Sequence, residues 1–234
     1  MVNFQIVLAS ASPRRQQLLG WVIEEFTARP ADIDETPEPD EDPLAYCERM
    51  AVGKAAAAVS QKTDGEEIIL ASDTTVFLDK AIYGKPRNTE HAIEILHRLQ
   101  GRRHTVGTAV AILKRNGTKL ACRSTLCSTE VTIRSFTENE IEAYVASGDP
   151  MGKAGAYAIQ NGKFHPVESI HGCYACVMGL PLCHTELLFN SLEIEFPHDF
   201  SQRCKAAIPY PCPIEKQEIR RSAIVKQQES EYDL

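Results

Sequence analysis

The sequence predicts an α/β fold, a mixed sheet flanked by helices, with two lobes around a central cleft. Three observations carry this reading. Apolar runs at 4–10 and 67–79 have the length and β-branched content of buried strands. Helical patterns at 13–19, 43–62, 89–101 and 137–149 alternate with strand signals along the chain, as in α/β proteins. The turn signal RNGT at 115–118 then joins two long strands directly. Hairpins therefore interrupt the βαβ rhythm, which makes the sheet mixed and leaves room for a cleft.

FQIVLAS (4–10) is a short buried strand. The helix after it starts at Pro13, whose missing N–H would lack an intrahelical partner in the first turn. ADIDETPEPDED (31–42) holds seven acids and two prolines and reads as a loop. PLAYCERMAVGKAAAAVSQK (43–62) is a helix with Leu44, Met50 and Ala51 on one side and alanines through its second half. EIILASDTTVFLD (67–79) is the strongest strand signal, and KAIYGKPRN (80–88) returns from it as a hairpin and loop.

TEHAIEILHRLQG (89–101) is a helix with Thr89 as its cap and Gly101 at its end. TENEIEAYVASGD (137–149) is another, opened by a capping box of Thr137 and Glu140. Residues 155–172 read as a loop and strand pair, and LPLCHTELLFNSL (180–192) as a closing helix. Beyond Phe196 the character changes. Residues 197–234 hold four prolines and six charges of each sign, so the chain divides into a folded domain, 1–196, and a flexible C-terminal tail, 197–234.

At 234 residues the chain is long enough for one large or two-lobed core. No apolar run approaches the roughly 20 residues that cross a bilayer, so no membrane partner is expected. The first residues lack a basic stretch followed by an apolar core and small-residue cleavage site, so a cytoplasmic location is expected. Eight cysteines would then remain thiols. Cys173 and Cys176 form a CxxC with Cys183, His171 and His184 nearby, but no second pair completes a zinc pattern, and buried thiols are the preferred reading. The net charge of −7 argues against a nucleic-acid polymer as partner. It leaves open a small phosphorylated ligand, for which a few converging cations suffice.

Three stretches gather groups that suit such a ligand. In LASASPRRQQLL (8–19), Ser10, Ser12 and the N–H groups of a starting helix can bind an anion, with Arg14 and Arg15 as charged donors. A solvated surface pair accounts for the two arginines equally well when they are taken alone. In ASDTTV (71–76), Asp73 lies in an apolar strand, where a carboxylate must be paired, bound to metal or open to a cleft. A strand-end Asp capping a turn is the plainer reading, and Lys85 in YGKPR is a candidate neighbour. In GKAGAYAIQ (152–160), glycines permit close backbone approach while Lys153 and Gln160 offer a charge and an amide. By itself this is also what a tight turn looks like.

Taken together, these stretches resemble the Maf (septum-formation inhibitor-like) nucleotide pyrophosphatases. LASASPRRQQLL, DIDET, Lys54-Ala55, ASDTTV, GKPRN, LQGRRHTV, TEVTIRSFTENEIEAYVASGDP, KAGAYAIQ and GCYACVMGLPL occur in the family's order over roughly residues 4–190. The resemblance implies a Maf/ITPase-like fold, a homodimer, and hydrolysis of a nucleoside triphosphate between its α and β phosphates. A divalent metal cation (Mg2+ or Mn2+) is implied as cofactor. It also implies a link to removal of non-standard nucleotides and to cell-division arrest.

Residue by residue, the resemblance makes Asp73 the proton acceptor and, with Glu35 of DIDET, a metal ligand. Ser10, Arg15, Lys54 and Lys85 match phosphate-binding positions. Arg14, Thr74 and Gln160 match the positions that mark preference for dTTP and UTP over 7-methyl-GTP. Two positions depart from the pattern DKAGAYGIQ: Gly152 replaces its Asp, removing a carboxylate near Lys153, and Ala158 replaces its second Gly. The alternatives are the same reaction on a modified nucleotide and a non-catalytic nucleotide-binding regulator of division.

Overall fold

The computed structural model describes residues 4–59, 66–116, 119–208, 210–212 and 223–230. Strands β1 (Gln5–Leu8), β2 (Thr27–Ala28), β3 (Glu67–Leu78), β4 (Ala81–Ile82), β5 (Arg103–Asn116), β6 (Lys119–Ile133), β7 (Val167–His171) and β8 (Lys226–Ser230) form one curled sheet. Its order is β2–β1–β3–β5–β6–β7, with β4 added to β3 and β8 to β6. β1 runs parallel to β2 and β3, whereas β3, β5, β6 and β7 are antiparallel neighbours, so the sheet is mixed as expected. The flanking helices are α1 (Pro13–Gly20), α2 (Pro43–Ala57), α3 (Thr89–Leu99), α4 (Glu138–Ala146), α5 (Tyr174–Met178), α6 (Leu182–Ser191) and α7 (Phe200–Ala207).

The strands' two-residue period divides the core. Ile68, Leu70, Val110 and Ile112 face a cluster with α1, α5, α6 and α7. The intervening Ile69, Ala71, Ala109 and Ala111 face α2, which answers with Cys47, Ala51 and Ala55. Small side chains on both sides let α2 lie close to the sheet. Past the middle of β3, Val76 and Leu78 join Val106, Val131 and Ile133 under α3 and α4, forming a second core. The two lobes thus share the long strands, and Asp73 stands near the point where one core gives way to the other.

Several expectations need correction. α2 ends at Ala57 rather than residue 62, and the cap of α3 is Asn88, whose side chain accepts from His91 N, rather than Thr89. The capping box of Thr137 and Glu140 forms as read, although α4 stops at Ala146 and leaves Ser147–Asp149 as a turn. Residues 155–172 form a loop and one strand, with a 3-10 turn at Ala154–Ala156 that the sequence did not announce. The hairpin strands around RNGT pair through Asn116 and Lys119, while residues 117 and 118 lie outside the described residues.

Within the expected tail, 197–234, the chain forms a helix, α7. Asp199 caps α7 by accepting from Ser201 N and Gln202 N, and Phe200, Cys204 and Ile208 enter the first core. The Phe200 ring packs against Phe196 at 5.0 Å and Phe189 at 6.3 Å. Proline content hid an aromatic cluster whose burial stabilises the stretch by about 1.5–3 kcal/mol per large side chain. Farther on, β8 extends the β6 edge; residues 213–222 and 231–234 lie outside the described residues. No helix among the described residues is long and apolar enough to cross a membrane.

Candidate active site

A cleft of about 760 Å³ opens along the junction of the lobes. Its floor is β3, and the reason is topological. β1 pairs with β3 only over Glu67–Leu70 and β4 only over Phe77–Leu78, so residues 71–76 have a ladder on the β5 side alone. Along this open edge the side chains of both sheet faces border the cleft. Asp73 and Thr75 point toward α2, while Ser72 and Thr74 point toward α1 and α5.

On the α2 side, Lys54 is the centre. Its buried face is read from helical spacing, since Cys47, Met50, Ala51, Lys54 and Ala55 share one stripe. A lysine on such a stripe must be paired. Its Nζ donates at 2.6 Å to Asp73 Oδ1 and lies 2.6 Å from Glu35 Oε1. Glu35 is held by its backbone, whose carbonyl accepts from Tyr46 OH at 2.8 Å, and Lys85 Nζ approaches its Oε2 at 3.4 Å. Burial opposes ionisation of Glu35, but Lys54 and Lys85 outweigh it and hold its pKa below the ordinary value.

Cys47, not singled out in the sequence, supports Asp73 from beneath. Its Sγ donates to the Asp73 carbonyl at 3.2 Å and accepts from Ala109 N at 3.3 Å. Burial, with the Asp73 charge added, pushes this thiol up to about 12, so it stays protonated.

On the other side, α1 points its N-terminus at the cleft. Ser12 caps it without a side-chain bond, and Ser10 Oγ accepts from Ser12 N at 3.2 Å. The adjacent arginines diverge. Arg15 is partly buried, with Nε donating to Gly179 O at 3.0 Å and Nη2 to Thr74 Oγ1 at 3.1 Å. Burial lowers its pKa, and the Asp73 charge opposes that. Gly179 also accepts from Ser72 Oγ at 2.9 Å. Its φ of +108° ends α5, and a Cβ there would meet Thr74 Oγ1 at 3.1 Å and Arg15 Nε at 3.2 Å. Arg14 stays on the cleft wall. The solvated-pair reading therefore fails for Arg15.

The second lobe supplies Lys85, Asp149, Lys153, Tyr157 and Gln160. Gln160 is exposed on the cleft, and Ala158 is buried with an ordinary negative φ, so its Cβ is accommodated without strain. The structure thus brings Ser10, Arg14, Arg15, Glu35, Lys54, Asp73, Thr74, Lys85 and Gln160 to one cavity. Sequence reading passed over Asp149 because it was counted as the end of a helix. A carboxylate in a last helical turn is disfavoured by the helix dipole, and that was the available signal.

The lining carries five cations (Arg14, Arg15, Lys54, Lys85, Lys153) against three carboxylates (Glu35, Asp73, Asp149), in a chain whose net charge is −7. The cleft is therefore a local positive field suited to a polyanion. Among the described residues no group of three His, Cys, Asp or Glu converges on a metal position, and no disulfide is formed. The Glu35–Asp73 pair fits a hard cation such as Mg2+, which usually takes one or two carboxylates and completes its shell with water and phosphate oxygens.

The Maf-like protein family model matches residues 5–192. A dTTP/UTP pyrophosphatase of Chromobacterium violaceum is 43% identical over 196 residues, covering 82% of this chain and 97% of that protein. Proteins of the same name from Citrifermentans bemidjiense and Hahella chejuensis are 43% and 39% identical, covering 78% and 83% of this chain and 93% and 96% of their own lengths.

Proposed function

This chain belongs to the Maf-like protein family, and from that premise we propose that it is a nucleoside triphosphate pyrophosphatase acting on dTTP and UTP. The observation that supports the reading is the junction at Lys54, where two carboxylates from separate elements meet one ammonium at 2.6 Å beside a positive cleft. A triphosphate lies with its phosphates between the N-terminus of α1, Lys54 and Lys85, and its base toward Arg14 and Gln160. Asp73 takes a proton from water as the water oxygen attacks the α-phosphorus. The bond from that phosphorus to the bridging oxygen breaks, giving the monophosphate and pyrophosphate.

Lys54 and Lys85 neutralise charge on the leaving pyrophosphate, and Ser10 adds a hydroxyl contact. Arg15, on the cleft lining and braced by Thr74 and the Gly179 carbonyl, adds positive charge toward the phosphates. Glu35 and Asp73 would hold the divalent cation, Mg2+ or Mn2+, which when bound stabilises negative charge on the phosphates as a Lewis acid. A homodimer and a cytoplasmic location belong to the same proposal.

The test is pyrophosphate release from standard and modified triphosphates with Mg2+ or Mn2+. Release from dTTP and UTP is expected, with Asp73→Asn lowering turnover by about 10²–10⁴-fold while nucleotide binding survives. Binding without turnover in the unaltered protein would favour a regulator, and a strong preference for a modified nucleotide would reassign the substrate.

A further inference from the structure

The second concentration of charge on the cleft surrounds Asp149. Its Oδ2 accepts from Tyr144 OH at 2.6 Å, and Lys153 Nζ lies 3.3 Å from Oδ1 while also donating to the Asp149 carbonyl. Tyr144 OH in turn accepts from Ala158 N at 3.1 Å, and its ring stacks on Phe164 at 3.9 Å. Asn161 Oδ1 accepts from Lys163 N and Phe164 N, closing the turn on the far side. Gln160 stands between these anchors. Burial opposes ionisation of Asp149, but its donors Tyr144, Asn161 and Lys153 hold its pKa below the ordinary value. Its charge also acts on Arg14, against the burial and Arg15 repulsion that lower that residue's pKa. Gly152, beside Lys153, has φ +72° and brings no carboxylate.

We propose that Asp149 is a positioning residue that sets base selectivity. Through Tyr144 and Ala158 it fixes the segment presenting Gln160. The Gln160 amide then meets the alternating acceptor and donor edge of thymine or uracil. This rests on the dTTP/UTP reading of the cleft.

The experiment compares the unaltered protein with Asp149→Asn and Tyr144→Phe across dTTP, UTP, dCTP and GTP. Pyrophosphate release gives kcat and KM, and calorimetry gives binding. Tyr144 and Lys153 approach opposite oxygens of Asp149, and asparagine puts an NH2 donor in place of one of them. Phenylalanine keeps the stack on Phe164 and loses only the hydroxyl link. In both variants the preference for dTTP over GTP is expected to fall about tenfold, the worth of a charge-assisted hydrogen bond, with most of the loss in KM. A purely structural role would lower Tm and reduce kcat/KM for every triphosphate by one factor, and that result overturns the proposal.

If Asp149→Asn does not fold, Tyr144→Phe carries the same comparison. If the unaltered protein turns nothing over, the reaction reading fails, and the ratio of Kd values for dTTP and GTP still decides the role of Asp149. A drop in that ratio supports the role and an unchanged ratio overturns it.

Discussion

The two ends of the cleft solve the same problem, holding charge in place, by different means. At the Lys54 end, Lys54 and Asp73 stand on a helix and a strand, both nearly buried and packed through Cys47 and small alanines. At the Asp149 end, the anchoring groups belong to a connecting segment pinned by side-chain bonds from Tyr144 and Asn161. On the proposed reading, Lys54 and Asp73 at the phosphate end sit on rigid elements, whereas Gln160 at the base end sits on a segment whose geometry is set by a few replaceable contacts. Substitutions at the first end should therefore cost stability and turnover together, and those at the second should shift preference.

The largest effect expected on stability is from Lys54→Met. It leaves Asp73 buried without the ammonium 2.6 Å away, and breaking one side of a buried pair typically costs about 3–5 kcal/mol. In a chain of this size that lowers Tm by roughly 2–4 °C for each kcal/mol. Glu35 fixes the sign with pH. Its folded pKa is depressed, so its contribution is present above the unfolded value and is lost as pH falls through the folded one. The gap in stability between the two proteins should narrow as pH drops below the ordinary carboxylate range. Coincident urea midpoints at pH 7 would remove Lys54 as the rigid centre.

Gly179→Ala probes the same end through its back wall. At φ +108° an alanine is strained, and its Cβ would crowd Thr74 Oγ1 and Arg15 Nε at 3.1 and 3.2 Å. A cost of about 1–3 kcal/mol is expected, with a fall in turnover as Arg15 loses its bond to the Gly179 carbonyl. Chemical denaturation combined with steady-state rates checks both. A variant with reduced stability but full activity would show that Arg15 is scaffolding alone.

The same contrast explains what could be read from the chain. β3 was legible from its β-branched apolar run and α2 from its alanine-rich helical pattern, and Asp73 stood out as a charge in an apolar strand, whereas Lys54 entered through the resemblance alone. The division of ASDTT between two sheet faces follows from the two-residue period, yet the open edge that exposes both faces depends on where β1 and β4 stop pairing. That is a tertiary fact. α5 has five residues and takes its cap from Cys173, so no periodicity announces it. α7 was masked by prolines, although Asp199 and Phe200 stand where a cap and a core residue belong. Asp149 was missed because its partners Tyr144, Lys153 and Asn161 converge only once α4 stops at Ala146.

The smallest effect separates position from charge at the second end. At Gly152 a Cβ meets nothing within 4 Å, and φ +72° is a conformation that Asp adopts more readily than most residues. Gly152→Asp should therefore cost only about 1 kcal/mol of stability, at the low end for this conformation, measured by urea unfolding. Alone it adds a carboxylate beside a Lys153 that Asp149 already serves, so selectivity should hardly move. Combined with Asp149→Asn, the new carboxylate can pair with Lys153 but leaves Tyr144 and Ala158 as the single variant has them. Preference for dTTP over GTP should then stay low in the double variant. Full recovery would mean that charge near Lys153, and not the Tyr144 link to Ala158, sets the base.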